Sequence, residues 1–416
     1  MASALEEFVV FKNYSAILSR VGSTKSLDSN KGKSETIIHY GLREEFNSLS
    51  SAQYPHAEAM PLSLIEPILD FGQPHEKSTV ALPPEGLVPG IEALGIRNCH
   101  YTGRGVTVAV LDTGINHRHE AFSDFKIVNG FNSLIEVPQI QVKNFTDELL
   151  DDLDGHGTHC AGILCGRPFA RRVIGVAEGV DRLLIGKVIG KGGTSVRLIK
   201  AIEWAVEQGA QIISLSLSFD FCNIRDRLTA EYTDERAGTS KALAIYRQNI
   251  DFFERYIEYL NIRLGRNRPH IFAAVGNTSR RPSYALDRLS PAAARGVVAI
   301  GASNGAGVAA FSNENPILVG PGFAVWSADS KGINGLRRMN GTSMASPHVA
   351  GLAALYWQRG TKELPKIYGS NAPAIADRVL DELRRSAQDQ REVRFPKASS
   401  FDVGCGEPIA PRQRHS

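Results

Sequence analysis

Five cysteines in 416 residues are odd in number and irregular in spacing, which leaves no disulfide framework to read. Cys99, Cys160, Cys165, Cys222 and Cys405 point instead to a reducing compartment. Charge of one sign is lacking too. Lys and Arg number 47 against 44 Asp and Glu, a balance that suggests neither a nucleic-acid nor a membrane partner. No apolar run approaches the length of a membrane span, and Met1-Ala-Ser-Ala-Leu-Glu-Glu7 has neither the basic start nor the apolar core of a secretory leader. The expected location is therefore intracellular, in the cytoplasm. No internal repeat is evident, and the arginine pairs at 171–172, 280–281 and 337–338 read as solvated surface.

What is present is a series of glycine-led motifs. Gly341-Thr-Ser-Met-Ala-Ser-Pro-His-Val-Ala-Gly351 sets Ser343 at a tight turn directly before an apolar helical pattern, which is how a nucleophile is presented. Pro347 is expected in the first helical turn, where a missing N–H matters little. A serine hydroxyl needs a base within reach and a carboxylate to orient that base. Gly105-Val-Thr-Val-Ala-Val-Leu-Asp-Thr-Gly114 reads as a buried parallel strand with Asp112 at its C-terminal edge. Asp154-Gly-His-Gly-Thr-His-Cys-Ala-Gly162 places His156 at a glycine-flanked helix start. His156 and His159 beside Cys160 suggest zinc, but no further Cys/His pair stands at ligand spacing, so no metal is assigned. His159 and His348 read as packed structural histidines, and Cys160 as a small buried hydrophobe.

In this order and in these contexts the three residues resemble the catalytic residues of the subtilisin-like serine proteases. The resemblance implies that Asp112 orients, His156 serves as general base and acid, and Ser343 attacks. It also implies that Asn277, at the end of His270-Ile-Phe-Ala-Ala-Val-Gly-Asn277, donates its side-chain amide to the oxyanion. The Ser343 N–H, at a positive helix end, is the second donor. The likeness runs from about Ala81 to Gly406 and includes Phe311-Ser-Asn, Gly320-Pro-Gly322 and Asp402-Val-Gly-Cys-Gly406. Strands at 183–189 and 211–218, with a helix over 198–206 between them, fit an α/β fold with a doubly wound, mostly parallel sheet flanked by helices. Its site is expected at the C-terminal ends of the strands.

In that family the substrate lies extended between two edge strands, here 192–195 and 215–218. The resemblance therefore implies contacts from Gly193, Ser216, Leu217 and Ser218, with Ala274, Val275 and Gly276 lining the first pocket. Small apolar walls favour a bulky apolar residue on the acyl side. Ser218 and Phe219 stand where the family has glycines, and a pocket narrowed by Phe219 is the competing expectation. The stretch from Phe219 to His270 is longer than the family's usual connection. A helix over about 241–264 and a charged surface loop over 220–239 are expected there, the loop a solvated insertion or a substrate-gating lid.

No cofactor is expected. The family's strong calcium site uses an acidic residue where this chain has His119-Glu-Ala-Phe122, and an Asn-rich loop where it has Gly166-Arg-Pro-Phe-Ala-Arg-Arg172. Residues 1–80 form a small α+β region with strand candidates at 8–11 and 36–40 and a polar linker at 23–34. Its length suits a removable N-terminal inhibitor of a zymogen, with a permanent accessory domain as the alternative. The peptidase-like domain takes 81–408, with its enlargement at 219–270, and 409–416 is a tail. Three functions stand: a general endopeptidase, a dedicated intracellular processing protease for one protein or peptide, and an inactive peptide-binding relative.

Overall fold

The computed structural model describes residues 81–132, 136–190, 195–219, 221–368 and 374–412, together with three strands at 7–11, 38–42 and 58–62. Those strands, β1 (Glu7–Phe11), β2 (Ile38–Leu42) and β3 (Glu58–Leu62), make an antiparallel sheet of order β2-β1-β3. The third is an addition to the sequence reading, and β2 begins two residues later than expected. The linker at 23–34 lies outside the described residues.

The main body begins with β4 (Gly86–Leu87) and α1 (Pro89–Ala93). It continues through β5 (Thr107–Asp112), β6 (Lys126–Ile127), β7 (Gln139–Asn144), α2 (His156–Cys165), β8 (Arg172–Val173), β9 (Arg182–Lys187) and α3 (Ser195–Glu207). Next come β10 (Ile212–Leu215), α4 (Phe221–Tyr232), α5 (Glu235–Leu264), β11 (His270–Ala274), β12 (Val298–Ser303) and β13 (Leu318–Pro321). The hairpin β14 (Val325–Ala328) and β15 (Leu336–Met339) precedes α6 (Thr342–Tyr368), α7 (Ile375–Arg394) and α8 (Ser400–Val403).

Eight strands lie in the order β13-β12-β11-β10-β5-β9-β7-β6, every neighbouring pair parallel. The central strands are covered on both faces, which is why β5, β9, β10 and β11 read as largely apolar runs rather than alternating. Alternate residues feed separate cores. Val108 and Val110 of β5 join α2 and α6 on one face, whereas Ala109 and Leu111 join α3 and the second half of α5 on the other. This is the doubly wound arrangement. The chain enters at β5, crosses to the edge at β6, works back inward through β7 and β9, and then builds the other side outward from β10. The order reverses between β5 and β10, and in such sheets ligands bind outside the strand ends at that reversal.

The enlargement at 219–270 differs from the sequence reading. Residues expected as a charged surface loop form α4 and the start of α5, and α5 is a single helix of 30 residues. The reason is a helical spacing hidden among charges: Ile224 and Leu228 of α4 bury against Ala242 of α5 with Phe219, a small core of their own. Asp234 caps α5 through its side chain. Phe252, Phe253, Tyr256, Ile257 and Leu260 lie in the main core. The helix expected from about 241 thus starts at Glu235 and is preceded by α4. The strand β3 lies against α5, and β1 against α3.

Candidate active site

Asp112 is the last residue of β5, beside the sheet reversal, and is fully buried. Its Oδ1 lies 2.7 Å from His156 Nδ1 and also accepts the Thr113 N–H at 2.7 Å, while Oδ2 is buried without a partner. His156 is the first residue of α2, preceded by Gly155 at φ +92°, a conformation that disfavours side chains with a Cβ. With Nδ1 engaged by the carboxylate, Nε2 is the nitrogen left to take a proton.

Asp152, which the sequence reading missed, locks this corner together. Its Oδ1 accepts from Thr113 Oγ1 at 2.8 Å and from the Gly155 N–H at 2.9 Å. Its Oδ2 accepts from the Thr158 N–H at 2.8 Å and from Thr158 Oγ1 at 2.5 Å. Thr113 Oγ1 in turn accepts the Gly157 N–H at 2.8 Å. One buried carboxylate therefore ties the end of β5 to the start of α2. An aspartate just before a glycine-led helix start was the available signal.

Ser343 is the second residue of α6, 2% exposed. Pro347 stands in the second turn, not the first. Having no N–H, it leaves the Ser343 carbonyl without its intrahelical donor. That carbonyl is instead satisfied by Ser216 Oγ at 2.8 Å and Cys160 Sγ at 3.4 Å. Cys160 Sγ also lies 3.9 Å from His156 Nδ1, so α2 and α6 meet here. Ser343 Oγ is 3.5 Å from the Ser216 carbonyl, too long for a firm bond.

Asn277 presents its amide by having its carbonyl held. Asn277 Oδ1 accepts the Thr342 N–H at 2.8 Å and Thr342 Oγ1 at 2.9 Å, which turns Nδ2 the other way. Gly341, at φ +153°, marks the target: a Cβ there would lie 3.4 Å from Asn277 Nδ2 and 3.6 Å from Ser343 N. Both donors face one small volume, and first-turn N–H groups have no intrahelical acceptor. Behind Asn277, the fully buried Asn313 accepts at Oδ1 from the N–H and hydroxyl of Thr278 and Ser279.

The electrostatics follow from this burial. For His156, burial is the largest influence and pushes the pKa down, but the charge of Asp112 and its hydrogen bond, with the neighbouring Cys160, hold it well above 6.5. Burial also raises the Cys160 thiol, so that sulfur is neutral and Asp112 is the charge that counts. Asp112, His156 and Cys160 are a buried ligand set in which zinc would displace the Nδ1 proton that Asp112 holds.

Of the candidate substrate contacts, Ser216, Leu217, Ser218 and Gly276 all lie beside this corner and are buried, and Gly193 lies outside the described residues. Phe219 packs against Tyr246, ring centroids 5.3 Å apart, in the small core of α4 and α5. Its ring is thus committed to the inserted helices, which counts against the narrowed pocket. His159 and His348 are buried and bonded to backbone carbonyls.

The residues at the family's calcium position do not fit that ion. Arg167 bonds Asp124 at 2.8 Å, the Val180 carbonyl at 2.7 Å and the Glu178 carbonyl, so a guanidinium already occupies the local oxygens. Phe169 stands edge-on to His119 at 4.9 Å, filling the same corner with rings. Calcium needs six to eight converging oxygens.

The model of the subtilase family matches residues 103–395. The chain is 30% identical over 272 residues to subtilisin DY of Bacillus licheniformis, covering 64% of this chain and 82% of that protein. It is 31% identical over 267 residues to an intracellular serine protease of Paenibacillus polymyxa, covering 62% and 68%. With a cuticle-degrading serine protease of Orbilia oligospora it shares 26% identity over 328 residues, which span 75% of this chain and 62% of that longer protein.

Proposed function

The chain belongs to the subtilase family, and from that premise we propose that it is a serine endopeptidase acting through an acyl-enzyme on Ser343. The observation that carries this is that two nitrogen donors border the space at Gly341 while Cys160 Sγ touches both the Ser343 carbonyl and His156 of the Asp112–His156 pair. The Ser343 hydroxyl attacks the scissile carbonyl as His156 Nε2 takes its proton. Asp112 holds the imidazole in the tautomer that can accept and stabilises the cation that forms. Asn277 Nδ2 and the Ser343 N–H bond the developing oxyanion, the charge that most needs stabilising. His156 then returns the proton to the leaving amine, and a water, deprotonated by the same nitrogen, releases the acyl group.

The domain boundaries at 80 and 408 belong to the same reading, with the N-terminal region as an intramolecular inhibitor. The support is a sheet whose β1 and β3 lie against α3 and α5, helices of the peptidase-like body. An intracellular place is supported by five free cysteines and by the relative named as intracellular. No described helix is long and apolar enough to cross a membrane. A narrow substrate range, as for a dedicated processing protease, rests on Ser218 alone, because the Phe219 ring is committed to α4 and α5. No resident metal is required, so chelator should leave the melting temperature unchanged, and a loss of several degrees would contradict this. Intact mass before and after a fluorophosphonate probe tests the whole. One adduct absent from Ser343→Ala supports the peptidase, and a truncated starting mass supports a processed N-terminus. A full-length chain that never labels would leave the inactive peptide-binding relative in its place.

A further inference from the structure

The lengthened helix α5 carries one buried amide that the chemistry above does not use. Asn249 is 1% exposed, among the inserted turns that precede Phe252 and Phe253. Its Nδ2 donates to Ser195 Oγ at 3.1 Å, and its Oδ1 accepts from Ser290 Oγ at 2.6 Å. Both hydroxyls are themselves fully buried. Ser195 opens α3. Ser290 reaches the substrate edge at 215–218, because its carbonyl accepts the Phe219 N–H at 2.8 Å, directly after that segment. The neighbouring Leu289 N–H bonds the Val275 carbonyl at 3.0 Å, in the wall of the first pocket. Tyr246, one turn before Asn249, repeats the connection with its hydroxyl on the Arg288 carbonyl at 3.3 Å and its ring against Phe219.

A single side chain thus joins, through two hydroxyls, the start of α3 to the 215–218 edge and the wall of the first pocket. We propose that Asn249 is a positioning residue for these acyl-side subsites. It holds that edge and wall against α3, and the α4–α5 enlargement is a rigid outer wall of the cleft rather than a gating lid. An extended peptide spans about 3.4 Å per residue, so one with four acyl-side residues must run along that edge. A single-residue ester engages only the corner beside Ser343. The inference rests on the endopeptidase reading and concerns only how long substrates are held.

The test compares the full chain with Asn249→Ala and Ser290→Ala on a tetrapeptide anilide and on a single-residue ester of the same apolar amino acid. Active sites are counted by fluorophosphonate labelling. The expected result is a rise of about tenfold in KM for the tetrapeptide, the equivalent of one hydrogen bond, with the ester within about twofold in kcat/KM. Ser290→Ala removes only a hydroxyl, so it keeps the test alive if Asn249→Ala misfolds. Equal losses on both substrates, or no loss on either in labelled enzyme, would overturn the proposal. Absence of labelling in the unmodified chain would remove the endopeptidase reading and this one with it.

Discussion

Acid should unfold this protein through the two helices that carry its reactive side chains. His159 on α2 and His348 on α6 are both fully buried, and burial pushes their pKa values down to about 3 and about 4 from an ordinary 6.5. His159 engages the Arg337 carbonyl through Nε2 and leaves Nδ1 buried without a partner; His348 engages the Met344 carbonyl through Nδ1 and leaves Nε2 so. A second proton has no acceptor in either ring. Between the folded values and 6.5 the unfolded chain therefore binds more protons than the folded one, and stability rises with pH. Their contribution is complete above 6.5. At pH 5 each histidine has given up about 1.5 pKa units, or about 2 kcal/mol, so the pair accounts for about 4 kcal/mol of a total of 5–15. His156 opposes this only above 6.5: its folded pKa is raised, so its contribution grows as pH falls from the folded value to 6.5 and is constant below. Glu178 and Glu407, raised by burial, act against the slope as they take up protons in the folded state. Denaturant midpoints of Ser343→Ala, which removes self-digestion, should fall steadily from pH 6.5 to 5. A loss below about 1 kcal/mol over that range would refute the reasoning.

Three further outcomes follow from the site. Asn277→Ala should lower kcat by about 10²–10³ with KM and melting temperature little changed, a magnitude taken from the equivalent donor in subtilisin rather than worked out for this chain; turnover at the parent rate would remove the oxyanion role. The acid limb of kcat/KM should lie above 6.5, because His156 must be neutral to take the serine proton and Asp112 holds its pKa up; a limb below 6 would contradict that balance. Asp152→Ala strips four hydrogen bonds from one buried corner and should destabilise the fold by more than about 3 kcal/mol, read from denaturant midpoints.

The central strands β5, β9, β10 and β11 were legible because they are buried on both faces and read as apolar runs, whereas β6, β7, β12 and β13 were not anticipated. Asp112 and Asn277 each stand at or just beyond the end of such an apolar run, and His156 and Ser343 at glycine-led helix starts. Local pattern sufficed there because each motif contains its own turn, strand or cap. The supports were harder to see. Asp152, Thr342 and Asn313 act on partners up to 65 residues away along the chain, and nothing in their immediate surroundings announces that. The inserted helices were misread for a different reason. Only Ile224 and Leu228 of α4 are buried, too thin an apolar stripe to outweigh the surrounding charge until Ala242 and Phe219 complete it.

Pro347 shows how far a local rule can be right in chemistry and wrong in place. A proline near the start of a helix was read as harmless because first-turn N–H groups are unpaired anyway. One turn further on it removes a real bond, and the orphaned carbonyl belongs to Ser343 itself. The interior of a helix tolerates such a loss only where other donors arrive, and here they come from Ser216 beyond β10 and Cys160 on α2. The missing bond therefore draws the nucleophile's backbone into contact with both the substrate edge and the histidine helix. Three elements that could shift separately are held to one carbonyl, directly behind the hydroxyl that must stay in register with His156.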